Sequence, residues 1–143
     1  MLSKPIHGWT EITIDQFCDR ASYLTDVAND CLDSAIETLE TGKEFRVYCD
    51  AEGWEYTIVG TEDAVWIETT KDSDELGVDC VVIQTNAKRI DLFRELSEDI
   101  KRDIEEWARW VYDPNLDAES LWQEERKTLS EKIEKLEALL AAA

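Results

Sequence analysis

The chain has 143 residues, 43% of them hydrophobic, enough to build one domain core and too many for an intrinsically disordered chain. Its 34 Asp and Glu outnumber its 15 Lys and Arg, for a formal net charge of −19, which disfavours direct binding to a phosphate backbone or an anionic membrane. No apolar run approaches the roughly 18 residues of a membrane span, and residues 1–8 lack the basic and apolar regions of a signal peptide, so a soluble cytoplasmic protein is expected.

In chain order, a short β-prone piece, Trp9 to Ile14, precedes a helix that Thr25 or Asp26 can cap and that Gly42 ends. From Glu44 the period changes to two. Phe45, Val47 and Cys49 alternate with polar residues, then Trp54, Tyr56 and Ile58 do the same. Residues 50–53 and 60–63 read as hairpin turns, residues 71–77 as a longer loop, and residues 78–85 as a fourth strand apolar on both faces. These segments predict a four-stranded antiparallel meander, with Ile12 to Ile14 available as a fifth strand.

From Asn86 the pattern is helical to about Tyr112, with Phe93, Leu96, Ile100, Ile104, Trp107 and Val111 on one apolar stripe. Asp113-Pro114-Asn115 breaks it, and a last helix begins near Asp117, carrying Leu129, Ile133, Leu136 and Leu140 as a short heptad-like seam. That seam is expected to pack on the preceding helix, leaving a monomer, with a homodimer as the other outcome. The expected fold is therefore α+β: an N-terminal helix plus a four- or five-stranded antiparallel sheet, followed by two antiparallel C-terminal helices. Residues 1–112 form the acidic α+β domain and residues 113–143 the amphipathic helix. Trp107, Trp110 and Tyr112 cannot all face one side of a helix, so at least one is expected at an interface.

The charge is not evenly spread. Residues 1–85 hold 19 acids against 5 bases. In the first helix Asp26, Asp30, Asp33, Glu37 and Glu40 fall at alternating steps of 4 and 3, within an arc of roughly 80°. No Lys or Arg lies between Ala21 and Gly42 to balance them. Such like-charged neighbours destabilise an isolated helix by about 0.2–0.5 kcal/mol per pair. The sheet region continues the pattern with Asp50, Glu52, Glu55, Glu62, Asp63, Asp72, Asp74 and Glu75, mostly in turns. The C-terminal helices instead offer opposite charges four apart, such as Arg94 with Glu98, Lys101 with Glu105 and Lys127 with Glu131. The acidic residues named here are the expected partner-binding set, and the partner they suit is a basic groove that normally holds nucleic acid.

Catalytic constellations are poor. The sole histidine is His7, and there is no nucleophile elbow and no phosphate-binding Gly-rich loop. Cys18, Cys31, Cys49 and Cys80, spaced 13, 18 and 31 apart, match neither a zinc pattern nor a disulfide framework and read as reduced thiols, mostly buried. Asp72 to Gly77 begins like a calcium loop but has Leu76 and Ile83 where ligands are required. No enzyme, cofactor or metal is expected.

The stretch Arg20 to Asp33, RASYLTDVANDCLD, resembles small proteins carried by phages and prophages, and the chain as a whole is similar in size and acidity to their anti-CRISPR and anti-restriction proteins. The resemblance implies a stoichiometric inhibitor acting in the cytosol of an infected host cell, with a CRISPR-Cas nuclease as the favoured target. The alternative is a structural or adaptor protein that assembles through its C-terminal helix and is acidic only for solubility.

Overall fold

The computed structural model describes residues 1–69, 81–110 and 118–143, and it opens with strands rather than a helix. Strands β1 (Trp9–Ile14) and β2 (Phe17–Ser22) pair antiparallel, Ile14 opposite Phe17, as a separate two-stranded sheet. Helix α1 (Val27–Thr41) follows, then a four-stranded sheet of β3 (Phe45–Asp50), β4 (Glu55–Gly60), β5 (Val65–Thr69) and β6 (Val81–Gln84) in that order. Helices α2 (Arg89–Arg102), α3 (Ile104–Ala108) and α4 (Ala118–Ala142) complete the described chain.

This corrects the expected order. The helix does not lead the fold; it separates two sheets, and Ile12 to Ile14 pairs within its own hairpin instead of adding a fifth strand. The reason is β2, whose inward row Phe17, Asp19, Ala21 interrupts the apolar alternation with an acid. Asp19 is tolerated there because its carboxylate accepts the Trp54 indole N–H at 2.9 Å. The two-residue turn places Asp15 at a φ of 56°, a left-handed conformation that a short polar side chain can adopt.

Helix α1 is bounded by its caps: Asp26 accepts from the Asn29 backbone N–H, and Gly42, left-handed at φ 78°, donates its N–H to the Thr38 carbonyl. The connection returns the chain antiparallel to α1, and Ser34 Oγ accepts the Arg46 N–H at 3.1 Å, so the helix covers the free edge of β3. The inner face of the sheet contributes Phe45, Val47, Cys49, Tyr56, Ile58 and Ile67, all buried. The β1–β2 hairpin packs on it through a Phe17–Tyr56 edge contact at 5.2 Å, and α2 through Phe93 against Phe45 at 5.1 Å. On the edge strand β6, Val81 and Ile83 are half-buried while Val82 is exposed, so the strand expected to be apolar on both faces is covered on one. The first part of that expected strand, and the loop of residues 71–77, lie outside the described residues.

The long helix expected to reach Tyr112 breaks at Asp103. Its carboxylate is drawn back by the Arg102 guanidinium at 2.7 and 3.0 Å, and its carbonyl accepts from Glu106 and Trp107 at the start of α3. Trp107 and Trp110 are both buried, with ring centroids 5.0 Å apart, so of the three aromatics among which an interface anchor is expected these two are in the core. Val111, Tyr112 and the break at residues 113–115 lie outside the described residues. The seam of α4 points inward: Leu129, Ile133, Leu136 and Leu140 are buried, and α4 packs on α1 as well as on α2 and α3. Among the described residues no helix is long and apolar enough to cross a membrane.

Candidate functional site

The five carboxylates of the α1 row share a helix edge, but α4 lies against that helix and divides them. Lys132 Nζ reaches Asp33 at 2.9 Å and Asn29 Oδ1 at 2.7 Å. Lys135 Nζ sits 3.2 Å from Glu40, and Lys43, just beyond the C-cap, 2.8 Å from Glu37. The row, which has no counter-charge within its own helix, thus gains three from outside it, supplied by tertiary packing and by the following turn. Asp26 and Asp30 form no ion pair among the described residues; Asp26 caps the helix and accepts the Asn29 side-chain amide at 3.0 Å. The Asp30 carboxyl is raised above its ordinary value, first by partial burial and then by Asp26 and Asp33, while Lys132 pulls the other way.

Because α1 and β3 run antiparallel, the N-terminal end of α1 lies toward the β3–β4 turn. Asp50 faces Glu55 directly across the first hairpin position, and Glu52 sits at the tip with φ 56°. Asp50 Oδ1 accepts the Glu52 N–H at 2.7 Å, and neither residue has a cationic partner among the described residues. Glu55 accepts a short hydrogen bond from the Tyr48 hydroxyl, which pushes the Tyr48 phenol up to about 12. Asp26, Asp30, Asp50, Glu52 and Glu55 therefore gather at one end of the helix and sheet. Glu62 and Asp63 occupy the β4–β5 turn at the opposite end, where Thr61 Oγ1 accepts from the Asp63 and Ala64 N–H groups. Asp72, Asp74 and Glu75 lie outside the described residues, as does the candidate calcium loop of residues 72–77.

The outer face of the four-stranded sheet carries Arg46, Tyr48, Trp66 and Glu68. Arg46 bridges Glu44 and Glu68, each at 2.9 Å, and Glu68 also accepts the Trp66 indole N–H at 3.2 Å. In the C-terminal helices some bases reach between elements, Lys101 to Glu137 at 3.1 Å and Arg126 to Glu105 at 3.0 Å, and others pair three residues back along their own helix, Arg94 with Asp91 at 3.2 Å and Arg102 with Asp99 at 3.1 Å. Of the helical pairs expected at four-residue spacing, Lys127 and Glu131 make contact, at 3.9 Å.

Three arginines lack any carboxylate partner among the described residues: Arg89 reaches the Gly60 carbonyl at 3.4 Å, and the other two rest on indoles. Arg20 lies 4.8 Å from the Trp9 ring centroid and 5.3 Å from that of Trp54; Arg109 lies 3.7 Å from that of Trp122. Neither arrangement was readable from spacing, since each joins separate elements. Cys18, Cys31 and Cys49 are free thiols; Cys18 is exposed, while Cys31 and Cys49 are buried, and burial pushes the Cys49 thiol up to about 12. Cys80 lies outside the described residues. Among the described residues no group of three or more His, Cys, Asp or Glu side chains is placed to hold a metal ion. No protein-family model, no curated protein and no solved structure matches the chain.

Proposed function

We propose that the chain is an acidic, non-enzymatic inhibitor that occupies the basic nucleic-acid groove of a larger host defence enzyme, with a CRISPR-Cas nuclease as the favoured target. The supporting observation is how the protein uses its own cations. Asp33, Glu37 and Glu40 are ion-paired within the fold, whereas Asp26, Asp30, Asp50 and Glu52, at the α1 N-terminal end and the β3–β4 turn, have no ion pair among the described residues. A basic partner meets those four without first displacing a lysine, so the binding surface moves from the whole helix row to this end of the fold. The adaptor alternative is not favoured, because the heptad-like seam it requires is buried within the chain's own core.

The test is binding to a guide-loaded Cas nuclease across a salt series, with two triple variants that remove equal charge. Asp30→Asn, Asp50→Asn and Glu52→Gln together should weaken binding by about tenfold or more, and rising salt should weaken the wild type steeply. Asp33→Asn, Glu37→Gln and Glu40→Gln should cost less than about threefold, because those charges are already neutralised. Equal losses would reduce the effect to net charge, and affinity that is flat in salt would sink the proposal.

A further inference from the structure

Between the N-terminal turn and α3 lies a cavity of about 430 Å³ lined by His7, Gly8, Tyr23, Glu106, Arg109 and Trp110, a volume within the range of small-molecule sites. Its floor is built by local chemistry. Ile6 and Trp9 exchange two backbone hydrogen bonds at 2.9 and 3.0 Å, closing a two-residue turn in which His7 (φ 51°) and Gly8 (φ 79°) are both left-handed. Glycine is needed there twice, for its φ and because a Cβ would stand 2.9 Å from Cδ1 of Tyr23. The Tyr23 ring thus lies directly on the turn, and Trp110 is pinned by its indole N–H to the Thr25 carbonyl at 2.7 Å. Ile6, Tyr23 and Leu24, three of the large apolar side chains this acidic fold leaves exposed, belong to the same turn and the segment beside it.

Arg109 supplies the chemistry. Its guanidinium is stacked on Trp122, which satisfies its face and leaves its edge N–H donors without a carboxylate among the described residues. Most of the other described bases do have a carboxylate partner. Glu106, in the same cavity, is engaged by Lys4 at 3.3 Å. We propose that this cavity binds a small planar organic anion, an aromatic carboxylate, with its ring against Tyr23 and Trp110 and its carboxylate on the edge of Arg109. The pairing is the bidentate geometry that guanidinium favours, and the aromatic walls contribute stacking and apolar burial. The site shares no residue with the acidic set, although Thr25, which anchors Trp110, immediately precedes Asp26.

The experiment titrates the full chain with indole-3-acetate, and in parallel with its uncharged relative indole-3-ethanol, followed by amide and indole N–H chemical shifts. Saturable shifts at Gly8, Tyr23, Arg109 and the Trp110 indole are expected below about 20 mM. The neutral probe and the variant Arg109→Gln should each bind about tenfold or more weakly, the loss of a charge-assisted hydrogen-bonded pair. Equal affinity for the two probes, or shifts that never saturate, would overturn the proposal. So would undiminished binding by Arg109→Gln. Arg109 is exposed, so the variant should fold; if it does not, the two probes on the wild type still decide.

Discussion

Asp30 has Asp26 four residues before it and Asp33 three residues after, and partial burial holds its carboxyl above the ordinary range more than either neighbour does. A folded-state value above the unfolded one means that the folded chain binds the proton more readily. The stabilisation this provides is complete below the unfolded Asp value of about 3.9 and is lost as pH rises through the folded value. At pH 7 the charge therefore opposes folding, and Asp30→Asn should raise Tm by about 1–3 °C there, from two like-charge contacts of about 0.2–0.5 kcal/mol each. Near pH 3.5 the gain should vanish, and thermal melts at the two pH values decide the matter. A gain of the same size at both would place its origin in something other than ionisation. The thiol of Cys49 is shifted in the same direction by the same cause: burial disfavours its thiolate and pushes it up to about 12.

At the scale of the element, α4 has two attachments to α1. Its apolar seam buries Leu129 and Leu136 completely, and one face over, Lys132 and Lys135 reach the acidic edge of α1. The seam supplies most of the stability, and the lysines that this packing brings to α1 add little, since paired surface charges contribute about 0–1 kcal/mol each. Leu136→Ala should therefore destabilise the chain by about 2–5 kcal/mol, the usual result of emptying a fully buried leucine site. Its melting temperature and that of the wild type should both be independent of protein concentration. A wild-type transition that rises with concentration would mean that the seam is shared between two chains. Beyond the break between α2 and α3, Trp107 and Trp110 are buried in the core, and Trp110 ties the end of α3 to the residue preceding the α1 cap.

Across the whole molecule, interelement ion pairs gather the few cations at helix contacts and leave the acid excess at the sheet ends. With a net charge of −19, self-repulsion is summed over many distant carboxylates, whereas each attraction is a local pair. Salt screens the first more completely than the second, because a Debye length of about 10 Å at 0.1 M exceeds the ion-pair distances but not the spacing across the fold. Raising sodium chloride from about 20 to about 500 mM should therefore raise Tm, which calorimetry would register. A fall would show that the pairs between α1 and α4, and between α3 and α4, outweigh the repulsion.

The elements with a clean local signal were readable from the amino-acid order. Asp26 and Gly42 bound α1 as caps must, and the alternation from Phe45 to Ile58 marks β3 and β4, with turn residues between them. The inward seam of α4 follows from its apolar spacing. What the order of residues did not disclose is each point where a distant partner overrides the local pattern. Asp19 breaks the period of β2 and is rescued by Trp54, 35 residues on, so the first hairpin and the two-sheet architecture were missed. Asp103 ends a helix whose apolar stripe runs straight through it, because Arg102 and the next turn claim its polar groups. Asp30, Asp33, Glu37 and Glu40 are exposed on α1, with Asp26 as its N-cap, yet which of these acids remain without a counter-charge was decided by Lys43 just past the helix and by Lys132 and Lys135 of α4. Periodicity is a property of one element and can be read along it; charge compensation belongs largely to the contacts between elements, and Lys132 and Lys135 are brought to α1 only by the packing of the core.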